Sequence, residues 1–371
     1  MRQGILRRPS AKATIAGIAA GILFISGVAV LPSASAAPRR DIEQVRNEVR
    51  TLQAKAEAAT ERYNSARNEL AGVQAKLDAL KEKVSRERGQ LQEILSSVDD
   101  LARATYTNGG LDTSLQVLLA DNPTEFLAQA AALDQVAQSQ ASALRRTQTA
   151  RVRLAQSEAE VQDKEAIAQN YRDDMAESKT EAEQQLDDAE GILAGLEEAE
   201  RQRLAALAEQ ERQAGLSAAA AAAAAIGATG GSSSSSSSGP SSAGGGYTGG
   251  SRAAAAVSYA LAQVGDRYVA AAAGPDSFDC SGLTMTAWRQ AGVSLPHYSY
   301  SQYSSTTRIP LSEAQPGDLV FYFGGGVHHV GLYIGGGKMV HAANPSSGVL
   351  VSDILGPWYE NYFSGIGRVV G

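Results

Sequence analysis

Phe278-Asp279-Cys280-Ser281-Gly282-Leu283, followed further along by His328-His329-Val330-Gly331-Leu332-Tyr333-Ile334-Gly335-Gly336-Gly337-Lys338-Met339-Val340-His341-Ala342, is the part of this chain whose reading decides the fold. Leu283 to Ala291 has helical composition and Gly292 ends it. Cys280 therefore stands at or near a helix N-terminus, with Asp279 or Ser281 available as its cap. The positive end of such a helix favours a thiolate, and N–H groups left over in its first turn suit an oxyanion. The second stretch reads as two strands joined by a three-glycine turn. With the turn at 335–337, Ile334 pairs with Lys338 and Gly331 faces His341. His329 and His341 then share one sheet face as diagonal neighbours, ~7–8 Å apart at their Cα atoms. His328 points the other way, and Val330, Leu332 and Ile334 form the buried face. With a helix expected at Arg252–Val264 and β-rich runs such as Asp318–Tyr322, the residues from 251 onward suit one compact α+β domain.

The chain has 371 residues and one cysteine, so no internal disulfide is available to it. A lone cysteine in an exported protein is an inert buried thiol, an intermolecular link or a nucleophile. The polar Asp-Cys-Ser-Gly context argues against a plain core residue. A cysteine at a helix start, a histidine on a strand and a second histidine behind it are the nucleophile, base and base-orienting group of cysteine acyl transfer. In that reading His329 takes the proton of Cys280 and His341 holds the ring of His329 in its productive tautomer. A metal site built from Cys280, His329 and His341 is the competing assignment. Neither an HExxH pattern nor paired-cysteine spacing supports it, and no metal or cofactor is expected. On residue types alone, the catalytic pair and a coincidence remain equal readings.

Upstream, the apolar positions step by three and four with little interruption from Ile42 to Thr105. They run through Val45, Val49, Leu52, Ala56, Ala59, Tyr63, Ala66, Leu70, Val73, Leu77, Leu80 and Val84, with only Glu87 breaking the series. That spacing predicts a coiled-coil helix, about 95 Å long at ~1.5 Å per residue. Turn residues at Asn108–Gly110 and Asp121–Pro123 interrupt it, leaving an apolar Leu111–Ala120 that suits a short helix. A second, looser helical stretch spans about Thr124–Gln213, with Arg151, Glu158, Glu165 and Arg172 at positions a strict heptad would bury. An antiparallel hairpin, partly solvated in its distal part, fits this; a parallel homodimer fits it too. The alanine run (218–225) can extend a helix, whereas the serine (232–238) and glycine tract after it cannot bury apolar surface and reads as a flexible tether. The expected organisation is a signal peptide at 1–36, an all-α coiled-coil hairpin at 37–215, a linker at 216–250 and the α+β domain at 251–371.

Compartment is read from the N-terminus. Arg2, Arg7, Arg8 and Lys12 precede an uncharged apolar run, Thr14–Leu31, and then Ala34-Ser35-Ala36, the layout of a secretory signal with its cleavage site before Ala37. The run is also near the ~18 residues of a membrane anchor; the cleavage pattern favours export. Net charge is −7, so the chain has no basic footprint for nucleic acid.

Gly265-Asp266-Arg267-Tyr268, Gly274–Leu283, Gln315–Phe321, His329–Gly335 and Met339–Ala342 follow one another in the order of a known family. The stretch from Gly265 to Gly371 resembles the NlpC/p60 family of papain-like cell-wall peptidases. The resemblance implies cleavage of peptidoglycan stem peptides between D-glutamate and the following diamino acid. It assigns nucleophile, base and third polar residue to Cys280, His329 and His341. It also implies that Tyr268 lies beside the nucleophile to position substrate, and that Asp279 and Ser281 shape the peptide-binding groove. Two positions depart from the family pattern: Ala270–Ala273 stands where relatives commonly have Trp-Gly-Gly, and His297 where they often carry Arg. The coil joined to this domain resembles actinobacterial cell-separation hydrolases. That implies docking on an FtsEX-type division-site complex that relieves autoinhibition. A silent wall-binding division scaffold and an amidase cutting the sugar–peptide link are the rival functions.

Overall fold

The computed structural model describes residues 41–107, 123–230 and 249–369. The expected signal segment at 1–36 and the short helix at Leu111–Ala120 lie outside them. Helix α1 (Ile42–Thr107) and helix α2 (Pro123–Ala194) are antiparallel. Their ion pairs Arg62–Glu181, Lys81–Glu165 and Arg88–Glu158 climb one helix while descending the other. The three-four spacing of apolar residues produces a seam in which Val45, Val49, Ala56, Ala59, Ala66, Leu70, Val73, Leu77 and Val84 are buried. One chain thus covers its own seam. Glu87, the acid in that series, is half-buried, and its Oε2 has no hydrogen-bond partner. Farther along α2, Val136, Leu144 and Val152 are exposed, matching the solvated distal part read from the sequence.

Helix α3 (Glu198–Gly230) follows a break at Gly195–Glu197 and corrects the expected linker over 216–230, while the serine run at 232–238 lies outside the described residues. The alanine run is helical through Gly230, because alanine is the strongest helix former and here has a surface to pack on. Ala219 is buried in the core of the C-terminal domain with Ala218 and Ala222 against it. A Cβ on Gly215 would lie 3.1 Å from the carbonyl oxygen of Val351, so glycine allows this helix its close approach.

The C-terminal domain starts with α4 (Gly249–Ala262). The short parallel strands β1 (Arg267–Tyr268) and β2 (Ser277–Phe278) come next, then α5 (Cys280–Gln290) and α6 (Ser299–Ser305). Strands β3 (Thr307–Ile309), β4 (Leu319–Tyr322), β5 (His329–Gly335), β6 (Lys338–Asn344), β7 (Gly348–Asp353) and β8 (Phe363–Arg368) form an antiparallel sheet in the order β3-β8-β4-β5-β6-β7. Period-two alternation divides its faces. Val330, Leu332, Ile334, Val340 and Ala342 join Leu283, Ala287 and Trp288 of α5 in the main core, so α5 rests on β5 and β6. On the other face, Val320, Tyr322, Tyr333, Met339 and Ile354 form a second cluster. Asp318, buried before β4, accepts from the Gln315 N–H and from two nitrogens of Arg368, pinning the Gln315–Asp318 turn to β8. Among the described residues no helix is long and apolar enough to cross a membrane.

Candidate active site

Cys280 is the first residue of α5, and its thiol is fully buried. Asp279 is the cap: its Oδ1 accepts from the Gly282 N–H at 2.6 Å, so of the two expected candidates the aspartate does this work. Gly282 is required because a Cβ there would run into the carbonyl oxygen of Ala272. The thiol lies 3.8 Å from the carbonyl oxygen of His328, at the entry to β5.

His329 and His341 meet as expected, but through a different turn. Gly335 rather than Ile334 pairs with Lys338, leaving a two-residue turn, and an irregularity between Tyr333 and Gly335 restores the Leu332–Val340 register. The glycine run permits this with positive φ at Gly335, Gly336 and Gly337. Gly331 then sits against His341; a side chain there would strike the Met339 Sδ and the His341 Cβ. His329 Nε2 is 2.9 Å from His341 Nδ1, and His341 Nε2 is 2.9 Å from Ser352 Oγ. His328 turns away and stacks on Phe323.

Helix α1 occupies the cleft between these groups. Glu57 Oε1 lies 2.6 Å from His329 Nδ1, the nitrogen facing away from His341. One turn later Glu61 enters a cradle: its Oε1 accepts from Ser281 Oγ at 2.6 Å, and its Oε2 accepts from the Ser299 N–H at 2.5 Å and from Ser299 Oγ at 2.8 Å. Asn64 Nδ2 donates to Asp279 Oδ2 at 2.9 Å. Arg67 donates to His297 Nδ1 at 2.5 Å, so Nε2 of the same ring donates to Asp279. His297 is therefore a buried partner of the capping aspartate. Tyr268, buried on β1, is paired with Phe278 of β2. The structure thus gathers Cys280, His329, His341, Tyr268, Asp279 and Ser281 in one region. It adds Ser299, Ser352, Glu57 and Glu61, which the motifs did not indicate, and brings in His297, noted in the sequence only as a departure from the family pattern.

With the cleft closed, the electrostatics oppose a charged thiolate–imidazolium pair. Burial pushes the Cys280 thiol well above its ordinary value, and the neighbouring Glu57, Glu61 and Asp279 push it the same way. This outweighs the helix-end effect expected from the sequence. Burial also lowers His329 to about 3 and raises Glu57, so the proton between them belongs to the carboxyl. Glu57 then donates to Nδ1, His329 Nε2 donates to His341 Nδ1, and His341 Nε2 donates to Ser352. Glu61 is raised to about 7, first by burial and then by Asp279. Cys280 and His329 are brought together here, but neutral and covered.

Residues 265–368 match the NlpC/P60 family, a family of cysteine peptidases, so the chain carries an NlpC/P60 domain at its C-terminus. It is 45% identical over 114 residues to the probable endopeptidase p60 of Listeria monocytogenes, a match covering 30% of this chain and 23% of that protein. A probable endopeptidase of Mycobacterium tuberculosis is 42% identical over 106 residues, covering 28% of this chain and 27% of that one. The chain thus spans about a quarter of the length of these curated relatives. Among solved structures, the NlpC/p60 domain of the peptidoglycan hydrolase SagA is 32% identical, with 32% of this chain and 98% of that chain covered and a TM-score of 0.29.

Proposed function

We propose that this protein is a secreted peptidoglycan hydrolase that cleaves stem peptides at the D-γ-glutamyl–diaminopimelate bond, kept latent by its own helical hairpin. The observation that carries the reading is the hydrogen-bonded series His329–His341–Ser352 beside Cys280. His341 accepts from His329 Nε2 and so keeps the lone pair of Nδ1 on the side of the thiol. Once Glu57 withdraws and water re-enters, Nδ1 takes the thiol proton and the Cys280 sulfur attacks the scissile carbonyl. The first turn of α5 meets the developing oxyanion, and Nδ1 returns the proton to the leaving amine. Water then hydrolyses the thioester by the same base. Ser281 and Ser299 already hold a glutamate carboxylate, that of Glu61, which supports a substrate carrying a free carboxylate next to the scissile bond. In this reading Tyr268, Asp279 and Ser281 shape the groove, with Asp279 acting through the cap and His297.

Mass spectrometry of muropeptides digested with the full chain, with Glu61→Lys and with Cys280→Ala tests the bond and the nucleophile together. New fragments split between glutamate and the diamino acid, abolished in Cys280→Ala, are expected. Release of intact peptide from the sugar would instead indicate an amidase, and no new fragments from either active form would indicate a silent wall-binding scaffold.

The role assigned to the enzyme is cell-wall remodelling and daughter-cell separation, with the coiled-coil hairpin as its regulatory arm. A division-site membrane complex of the FtsEX type is the partner proposed for that arm. The exposed apolar residues of distal α2 support the arm as a contact surface. Failure of residues 37–215 to bind the extracellular domain of such a complex in a pull-down would remove this partner.

A further inference from the structure

Glu57 of α1, Cys280 of α5 and His329 of β5 come from distant parts of the chain. Each offers one ligand atom, all three residues are buried, and those atoms lie within 4.8 Å of one another. We propose that docking of the hairpin completes a zinc-type metal site from Glu57, Cys280 and His329, locking the closed state. A thiolate, an imidazole and a carboxylate suit zinc and exclude the hard cations calcium and magnesium, which prefer all-oxygen shells. Zinc bonds of ~2.0–2.3 Å in a tetrahedron place ligands about 3.4 Å apart. The three side chains need only close around an ion, with the 2.6 Å Glu57–His329 contact opening to admit it.

The surroundings fit the same assignment. His329 is held through Nε2 by His341, itself held by Ser352, so Nδ1 is oriented towards the ion. Orientation through the second nitrogen is how proteins usually set a metal-bearing imidazole. Glu61 Oε1 lies 3.7 Å from the sulfur and leaves a carboxylate or a water for the fourth position. Glu57, Glu61 and the thiol meet in one buried cluster, where a divalent ion takes the place of the protons on the thiol and on Glu57. On binding, the thiol proton and the carboxyl proton of Glu57 pass to solvent. The site exists only while α1 is docked. By linkage, the ion favours docking as strongly as docking favours the ion. An ion on Sγ and Nδ1 occupies both atoms that catalysis needs. The inhibitory consequence rests on the hydrolase reading, whereas the binding site does not.

The test is titration of the metal-free full chain with cobalt(II), following the sulfur-to-metal charge-transfer band, with zinc as competitor. Wild type is expected to bind one equivalent with that band, and Cys280→Ser to lose the band. Glu57→Gln keeps the size of the side chain and a hydrogen bond to the ring, and it is expected to bind at least about tenfold more weakly. Glu57→Asp is expected to recover part of the affinity, and equal melting curves exclude misfolding as the cause. A wild type without the band, or a Glu57→Gln variant binding as tightly as wild type, overturns the site. Saturating zinc that leaves the residual hydrolysis of wild type unchanged overturns the lock. If Glu61→Lys shows no muropeptide cleavage in chelator while cobalt binds wild type as expected, the hydrolase reading fails and the metal site stands.

Discussion

The two halves of α1 have similar composition and opposite surroundings. Beside the apolar seam, a polar stripe of Arg50, Gln53, Glu57, Glu61, Asn64 and Asn68 runs at the same three-four spacing. In the proximal half that stripe faces α3 and the C-terminal domain. Arg50 donates to Glu211 and lies over the Trp358 ring, Gln53 donates to Ser346, and Asn68 donates to the carbonyl of His297. Glu57, Glu61 and Asn64 are buried there. In the distal half, Lys81 and Arg88 also pair with glutamates, yet their side chains are 52% and 64% exposed. An exposed pair contributes ~0.2–1 kcal/mol, whereas removing one partner of a buried charged set costs ~3–5 kcal/mol. The comparison shows that a charge's consequence is set by what excludes water from it.

That contrast can be broken most severely at Glu61. Glu61→Lys buries an ammonium in a cradle of donors and removes three hydrogen bonds, so docking weakens by ~3–5 kcal/mol. Muropeptide cleavage by the full chain, assayed in chelator, is expected to rise by on the order of a hundredfold, levelling off when the hairpin is fully released. His341→Ala in the Glu61→Lys background is expected to cut that activity by on the order of ten- to a hundredfold, mainly in kcat, with His341→Gln recovering part of it. Arg67→Ala removes the bond to His297, and a hydrogen bond to a charged group is worth ~1.5–3 kcal/mol. A rise of roughly tenfold in activity is the expected reading, and an unchanged rate would place the latch elsewhere on the stripe.

The distal half supplies the control. Arg88→Ala should shift thermal stability by less than ~1 kcal/mol and leave activity unchanged; an activity rise would show that latency extends along the rod. The smallest effect belongs to the groove wall at Ala271, whose φ of 59° is left-handed. Ala271→Gly relieves ~1–2 kcal/mol of strain against ~0.4–1 kcal/mol of added unfolded-state entropy. A gain of under about 1 kcal/mol by denaturant unfolding is expected.

The order of elements was readable because each signal is local. The seam of α1, the helix start at Cys280 and the shared face of His329 and His341 follow from spacing within a few residues to a dozen. Where reading failed, packing decided. Composition leaves the alanine run open to linker or helix, and it is helix because the core around Ala219 covers it. Three consecutive glycines hid which of them turn and which extend the strand. His297 had no periodic context at all, and Ser299 and Ser352 carry no motif of their own.

By itself, then, the sequence determined two long helical stretches, open to an antiparallel hairpin or a parallel dimer, the strand-rich C-terminal domain and the residue set Cys280, His329 and His341. Tertiary structure alone decided that Glu57 reaches His329 across 272 residues and that Glu61 reaches Ser281 across 220. The physical reason is that a polar stripe costs nothing on a solvated helix and looks the same whether or not a partner surface desolvates it. Only the docked surface turns those acids into buried partners of His329 and Ser281.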